Sequence, residues 1–301
     1  MHVVISGGTG FLGSRLVETL AAHGHFISIL TRDTSTKTDT THVQHVEWLG
    51  ANTKPEEALH NVDAVINLAG ASINERWTAK HKEAILQSRI EATREIVRLM
   101  KVLQPAPEVL INASAMGYYG ISKTAIFTED SPPVHENFLQ YVCKRWEEEA
   151  EAARELDNVR VVLARFGLIL GRDGGALPQM ITPYRFFAGG PLGDGRQWYS
   201  WVHLDDAVEM LIYSIQHEKA DGAMNVTAPE PTRMNEFGKT LAEVMNRPHF
   251  LPAPAFVVKT ALGEMSVLVL EGQKVLPTRA EAWGFTFQYP ELRPALQDLL
   301  I

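Results

Sequence analysis

An apolar opening run, Met1-His2-Val3-Val4-Ile5, passes through Ser6-Gly7-Gly8-Thr9-Gly10-Phe11-Leu12-Gly13 into a stretch of helical period. A junction so rich in glycine leaves few architectures open. One glycine permits a tight turn, one lets main chain come close to a ligand, and Gly13 lets the helix pack closely on the sheet. The start of that helix offers unpaired N–H groups and a partial positive charge to an anion. Glycine also marks plain turns, but here strand, turn and helix follow in the order that a dinucleotide pyrophosphate requires. Gly7, Thr9, Gly10, Phe11, Leu12 and Gly13 are therefore candidate phosphate-binding residues.

Through the first half of the chain, apolar runs of strand length alternate with stretches of helical period, as in βαβ units around a parallel sheet. Strands are expected at residues 2–6, 26–31, 43–49, 64–68, 109–113 and 159–166. Helices are expected at 11–23, 79–104 and 138–156, the first ended by Gly24. After Gly167 the glycines and prolines thicken, which suggests loops beside a cleft. Residues 198–203 and 223–226 read as strands with a helix at 205–216 between them. Residues 229–301 read as two or three short helices and a terminal segment at 285–299. The fold class is α/β: a Rossmann-type doubly wound parallel sheet with a smaller C-terminal substrate-binding portion. Residues 1–168 are expected to form a dinucleotide-binding domain, with a return contribution from about 204–226. Residues 169–301 form the substrate-binding portion, including a small C-terminal helical domain.

A net charge of −8 argues against nucleic acid as a partner, since phosphate backbones need a cationic face. The single cysteine, Cys143, excludes an intrachain disulfide and a cysteine-based metal site, and fits a reducing compartment. The N-terminal residues lack the basic region of a signal peptide. No run approaches the roughly 20 apolar residues that span a bilayer. The expectation is a soluble cytoplasmic protein with a small-molecule substrate and no membrane partner.

In dinucleotide folds an acidic residue near the end of the second strand bonds the ribose 2′-hydroxyl. This chain has Ile29-Leu30-Thr31-Arg32 there. A carboxylate repels a 2′-phosphate, whereas Arg32 binds one bidentately and stacks on adenine, with hydroxyls at Thr31 and Ser35 to help. NADP(H) is the expected cofactor. Asp33, next in the chain, keeps NAD(H) as the alternative. Asn67-Leu68-Ala69-Gly70-Ala71 ends the fourth strand with small residues that let main chain pass under the adenine ribose and diphosphate.

Together these residues resemble the extended short-chain dehydrogenase/reductase superfamily, its NAD-dependent epimerase/dehydratase group. Ser114-Ala115-Met116-Gly117-Tyr118-Tyr119-Gly120 and Arg165-Phe166-Gly167 follow in the same order. A closer likeness is to an atypical branch, the "epimerase family protein" group with a C-terminal domain of unknown function. It is carried by Arg76-Trp77-Thr78, Ser88-Arg89-Ile90, Trp146-Glu147, Gly174-Gly175-Ala176-Leu177, and the 200–206 and 284–290 stretches. The resemblance implies a Rossmann domain that binds NADP(H) and a C-terminal portion that closes over a substrate. It does not supply the substrate. A homodimer is a habit of the superfamily.

In that superfamily a Tyr moves the proton, a Lys four residues later lowers its pKa and holds the nicotinamide ribose, and a Ser orients the substrate oxygen. Both side chains must leave one helix face, hence the i, i+4 spacing. Ser114 is the matching serine, although a strand-end serine also serves structure. The Tyr–Lys pair is broken. Tyr141 and Lys144 stand three apart, and Lys144 taken as the lysine puts Gln140 where Tyr belongs. Counting back from Glu147 instead puts Cys143 and Leu139 in the pair. Tyr141 and Lys144 still share a helix face approximately, and Tyr118 or Tyr119 is a further candidate proton donor. Each also suits a packing or surface role. Cys143 fits a small core residue better than a nucleophile.

Arg165 ends a strand where the nicotinamide half belongs, and Arg89 lies on the helix that faces the cofactor in the superfamily. Both are candidate cofactor contacts, with a structural ion pair and a solvated helix position as the plainer roles. Arg76-Trp77-Thr78 suits a pocket mouth, though Trp77 equally suits packing. His203 with Asp205 and Asp206 makes a poor catalytic dyad, because Asp205 is placed to cap the following helix. Met180, Tyr184, Arg185, Phe186 and Phe187 suit a lid over a small organic or anionic substrate, or interdomain packing. Two functions follow: an NADP(H)-dependent oxidoreductase or epimerase-like enzyme acting on a small carbonyl or hydroxyl compound, or an NADP(H)-binding sensor that performs no chemistry.

Overall fold

A computed structural model describes residues 1–134 and 136–301. Seven parallel strands form the central sheet: β1 (His2–Ser6), β2 (Phe26–Thr31), β3 (Val43–Glu47), β4 (Ala64–Asn67), β5 (Val109–Ala115), β6 (Arg160–Phe166) and β7 (Gly222–Val226). Their order is β7-β6-β5-β4-β1-β2-β3. The chain therefore winds outward from β1 in one direction and from β4 in the other. β1 and β4 lie side by side in register, Ile5 opposite Ile66 and Ser6 opposite Asn67. Their carboxyl ends flank the switch point where open α/β sheets bind ligands.

Parallel strands buried on both faces need a helix layer on each. Leu16, Val17 and Leu20 of α1 (Phe11–Ala22) pack on one face of the sheet beside Val208, Leu211 and Ile215 of α5 (Leu204–Gln216). On the other face Ile96, Leu99 and Met100 of α2 (Ala79–Val102) join Ala150 of α3 (Phe138–Glu151). Thr78 caps α2 by accepting from the His81 N–H at 3.1 Å, and Asn137 caps α3 by accepting from the Gln140 N–H at 3.0 Å. A third cluster joins α4 (Leu177–Arg185), α6 (Met234–Met245) and the terminal helix Leu292–Leu300 around Trp201.

Two local expectations are corrected, and the terminal segment takes a defined form. The strand expected over 198–203 is two short pieces, Trp198–Tyr199 and Trp201–His203, each paired outside the main sheet. Between them Ser200 turns inward, its hydroxyl donating to the Gln273 carbonyl and accepting the Val275 N–H, both at 2.9 Å. Residues 285–289 are not helical. Both Asp206 carboxylate oxygens accept main-chain N–H groups there, from Gln288 and Tyr289. The cap of α5 is His203, not Asp205: the His203 ring accepts from the Asp205 N–H at 3.1 Å. Among the described residues no helix is long and apolar enough to cross a membrane.

Candidate functional site

The turn after β1 is shaped by glycines in contact with main chain. Gly7 sits at φ +72°, and its carbonyl accepts from the Gly10 N–H at 3.0 Å. A Cβ at Gly13 would lie 2.2 Å from that carbonyl oxygen, and one at Gly7 would lie 2.8 Å from the Leu68 carbonyl. Neither neighbour is a flexible side chain, so neither position accepts a larger residue. Gly10 precedes α1 with no side-chain cap and no acidic residue in the first turn, leaving the helix N–H groups open. Thr9 and Gly10 are exposed, while Leu12 packs into the core and contributes main chain only. This backbone cradle, uncovered and electropositive, suits the diphosphate of a dinucleotide. The Phe11 ring turns away from it, against Gly171, Gly174 and Gly175, where an added Cβ would meet the ring at 2.4 to 2.8 Å.

At the end of β2, Arg32 is exposed and in no ion pair among the described residues. The competing carboxylate, Asp33, is committed to its own turn. Its Oδ1 accepts from the Ser35 N–H at 2.8 Å, and Ser35 holds the carboxyl below its ordinary value. Thr31 donates its hydroxyl to the Asp33 carbonyl at 3.1 Å.

Beyond the switch point, Asn67 is fully buried and ties β4 to β1, β5 and α2. It accepts from Ser6 at 2.5 Å and donates to Thr93 and Asn112 at 2.9 and 2.6 Å. Trp146 of α3 donates to Thr93 at 3.0 Å. Leu68 backs the glycine turn, Ala69 packs on the core, and Gly70 lies open. Arg89 is half-buried against them. It donates to the carbonyls of Ala71 and Ile85, lies 4.9 Å from the Trp146 ring centroid, and would meet a Cβ at Gly70 at 3.0 Å from its guanidinium carbon. Burial lowers its pKa from the ordinary value, and no carboxylate pairs with it among the described residues.

At the carboxyl ends of β5, β6 and β7 the structure gathers a polar network. Ser114 donates to Glu147 at 2.6 Å, and Arg165 grips the same carboxylate through Nε and Nη2, both at 2.8 Å. Arg165 also donates to the Tyr119 hydroxyl at 3.0 Å, which donates to Asn225 at 2.7 Å. Burial opposes the charge on Arg165, but the bonds to Glu147 outweigh it and hold the guanidinium well above its ordinary value. Burial pushes the Tyr119 phenol up to about 12 against the pull of Arg165. Ser114 is 2% exposed and Tyr119 fully buried, so both hydroxyls are closed off and spent inside the fold. Arg165 likewise faces its buried partners. Tyr118 differs: it is half-buried, its ring covers the Arg165 guanidinium at 3.5 Å, and its hydroxyl makes no hydrogen bond among the described residues.

Helix α3 decides between the two ways of counting the missing pair. Tyr141 is 42% exposed and Lys144 is also on the solvent side, so these two do not face the site. A Cβ built on Gly117 would lie 3.3 Å from Leu139 and 3.6 Å from the Cys143 sulfur. Leu139 and Cys143 are thus the i, i+4 pair turned to the 116–119 turn, a hydrocarbon and a thiol where acid–base chemistry wants a phenol and an amine. Burial pushes the Cys143 thiol up to about 12, which removes it as a nucleophile. Trp77 is a packing residue, clustered with Phe138, Leu139, Met265 and Leu268. Of the lid candidates, Tyr184 is buried in the third cluster, while Arg185, Phe186 and Phe187 are exposed.

Sequence reading missed Glu147 as the hub of this network, along with Asn225 and Gln273, which donates to the Met116 carbonyl at 2.7 Å. The usable signal for Glu147 was its fixed distance from Cys143 on one helix face.

Comparison with known proteins agrees with this geometry. Residues 3–227 match the family described as NAD dependent epimerase/dehydratase, and residues 253–299 match a domain of unknown function, DUF1731. The chain is 47% identical over 300 residues to the Epimerase family protein YfhF of Bacillus subtilis (strain 168), spanning 100% of this chain and 98% of that protein. Among solved structures, human epimerase family protein SDR39U1 (isoform 2) with NADPH is similar at a TM-score of 0.88 and 31% identity, over 99% of each chain. MoeE5 in complex with UDP-glucuronic acid and NAD shares the fold, with a TM-score of 0.78 and 20% identity over 98% of this chain and 96% of that one.

Proposed function

Because the chain belongs to the NAD dependent epimerase/dehydratase family, we propose that it holds NADP(H) and does so without the Tyr–Lys acid–base couple, as a binding protein that reports the nucleotide rather than turning it over. The observation that carries this reading is the Leu139–Cys143 pair facing Gly117. Gly7, Gly10 and Gly13 with the first turn of α1 would hold the diphosphate, and Arg32 would take the 2′-phosphate. A bound nicotinamide supplies hydride chemistry. Among the described residues, α3 turns Leu139 and Cys143, not a phenol and an amine, to the 116–119 turn, which leaves no such pair there to move the accompanying proton. The NADPH in the human relative supports the choice of nucleotide.

A second reading is favoured by Tyr118, the one candidate phenol that is neither locked in a hydrogen bond nor turned to solvent. In an enzyme, Tyr118 would move the proton to a small carbonyl compound, with Arg165 beneath its ring. Titration with NADPH and NADH tests the nucleotide. Wild type is expected to prefer NADPH, and Arg32→Ala to lose about ten- to a hundredfold of that affinity while NADH binding barely changes, as for one charge-assisted bidentate contact. Equal wild-type affinity for both nucleotides overturns the NADP(H) assignment. NADPH consumption with a panel of carbonyl compounds separates the two readings: none is expected, and turnover lost in Tyr118→Phe establishes the enzyme.

A further inference from the structure

Most exposed apolar side chains on a folded protein are scattered and need no explanation, whereas a contiguous group does. Phe186, Phe250 and Phe256 are 78%, 67% and 71% exposed, and Phe187, Leu251 and Val257 accompany them at 58%, 50% and 46%. They come from two segments far apart in sequence that the fold sews together. The N–H groups of Phe250 and Leu251 both donate to the Gly189 carbonyl at 3.0 Å, and a Cβ on Gly190 would fall 1.9 Å from the Leu251 carbonyl oxygen. The ladder continues as Ala253 N–H to Pro191 and Gly193 N–H to Ala253, both at 2.9 Å. It delivers the chain into helix Ala255–Leu262, whose only buried residue is Val258. The base is rigid: the His249 ring is held between the Tyr184 hydroxyl at 2.9 Å and Asn235 at 3.0 Å. These aromatic tips are therefore presented on a built scaffold and are not loose ends.

The two segments themselves carry only positive charge. The whole chain carries −8, with 36 acidic residues. Yet residues 174–193 and 244–263 contain no Asp or Glu, only Arg185, Arg247 and Lys259, and of the four carboxylates that bound them, Asp194, Glu243 and Glu264 are paired with Lys123, Arg293 and Lys82. Arg247 lies 4.7 Å from the Phe187 ring centroid. Exposed aromatic and aliphatic tips fringed by cations, on a protein otherwise acidic, match the chemistry of an anionic lipid surface. The apolar tips enter the headgroup boundary and the exposed cations Arg185 and Lys259 meet lipid phosphates. We propose that this face, built from residues 185–190 and 247–262, docks the protein peripherally on anionic membranes. Such docking needs no spanning helix, and among the described residues there is none.

Co-sedimentation of the full chain with phosphatidylcholine vesicles, with and without phosphatidylglycerol, tests the proposal. Binding is expected to the anionic vesicles, to weaken as salt rises, and to be much weaker to phosphatidylcholine alone. Phe250→Ser with Phe256→Ser should cut anionic vesicle binding at least about tenfold, as loss of two inserting side chains implies, and so should Arg185→Glu with Lys259→Glu. Both pairs are exposed and outside the nucleotide cradle, so unchanged NADPH affinity verifies that the variants are folded. Absence of binding to anionic vesicles overturns the proposal. So does a self-associated species that disperses in the Phe250/Phe256 variant while vesicles fail to bind, since the face would then join two copies of this chain.

Discussion

Glu147 accepts from a strand-end serine 33 residues before it and from an arginine 18 residues after it. It and Arg165 are 7% and 5% exposed at their side chains. Breaking such a pair from one side strands the other charge in low dielectric, which typically costs about 3–5 kcal/mol. Glu147→Gln is expected to destabilise on that scale in urea unfolding, and Glu147→Leu with Arg165→Met to recover much of the loss because no unpaired charge then remains buried. A double variant as unstable as the two single changes added together would show that the pair is not coupled. The glycines of the turn were legible because a missing side chain is itself a conformational statement, and a Cβ at Gly13 would lie 2.2 Å from the Gly7 carbonyl oxygen. Ser114 and Tyr119 were not, because a hydroxyl reads the same in sequence whether it faces a substrate or a buried carboxylate.

Helix periodicity identified α2 and α3, and the structure ends them at Val102 and Glu151, the second passing into a 3₁₀ turn at Ala152–Glu155. What periodicity did not settle was which side of α3 turns to the site. Tyr141 and Lys144 lie about 150° around α3 from Leu139 and Cys143 at 3.6 residues per turn, and only packing against the 116–119 turn selects between the two sides. The start of α3 depends on Asn137, whose side chain accepts from the Gln140 N–H. Asn137→Ala should cost about 1 kcal/mol, the usual worth of such a cap. Local hydrogen exchange should rise over residues 138–143 first, and exchange unchanged there would mean that tertiary packing alone holds the turn.

Across the whole molecule, His203 joins the sheet-facing helix α5 to the C-terminal helix. Its Nδ1 accepts from the Asp205 N–H, its ring stacks on Tyr289 at 3.9 Å between centroids, and its Nε2 lies 3.3 Å from Asp298. Burial pushes the imidazole below its ordinary value, against the pull of Asp205 and Asp298. A folded-state pKa below the unfolded one means that the stabilisation is complete above roughly pH 6.5, where the unfolded chain is also neutral. It is lost as pH falls from there through the folded value. Melting temperature should therefore decline between about pH 6.5 and pH 5, and His203→Asn, which can still cap α5, should flatten that slope. An unchanged slope would assign the titration to other groups.

The order of strands and helices, the glycine turn at the first crossover and the cation at the end of β2 were determined by the chain itself. Hydrophobic period and backbone freedom are local properties that neighbours in sequence express. The identity of the residues facing the 116–119 turn, the burial of Ser114 and Tyr119, and the joining of residues 185–190 to 247–262 were decided only in three dimensions. Each depends on which surfaces meet when strands distant in sequence lie side by side, and no spacing along one strand or helix carries that information.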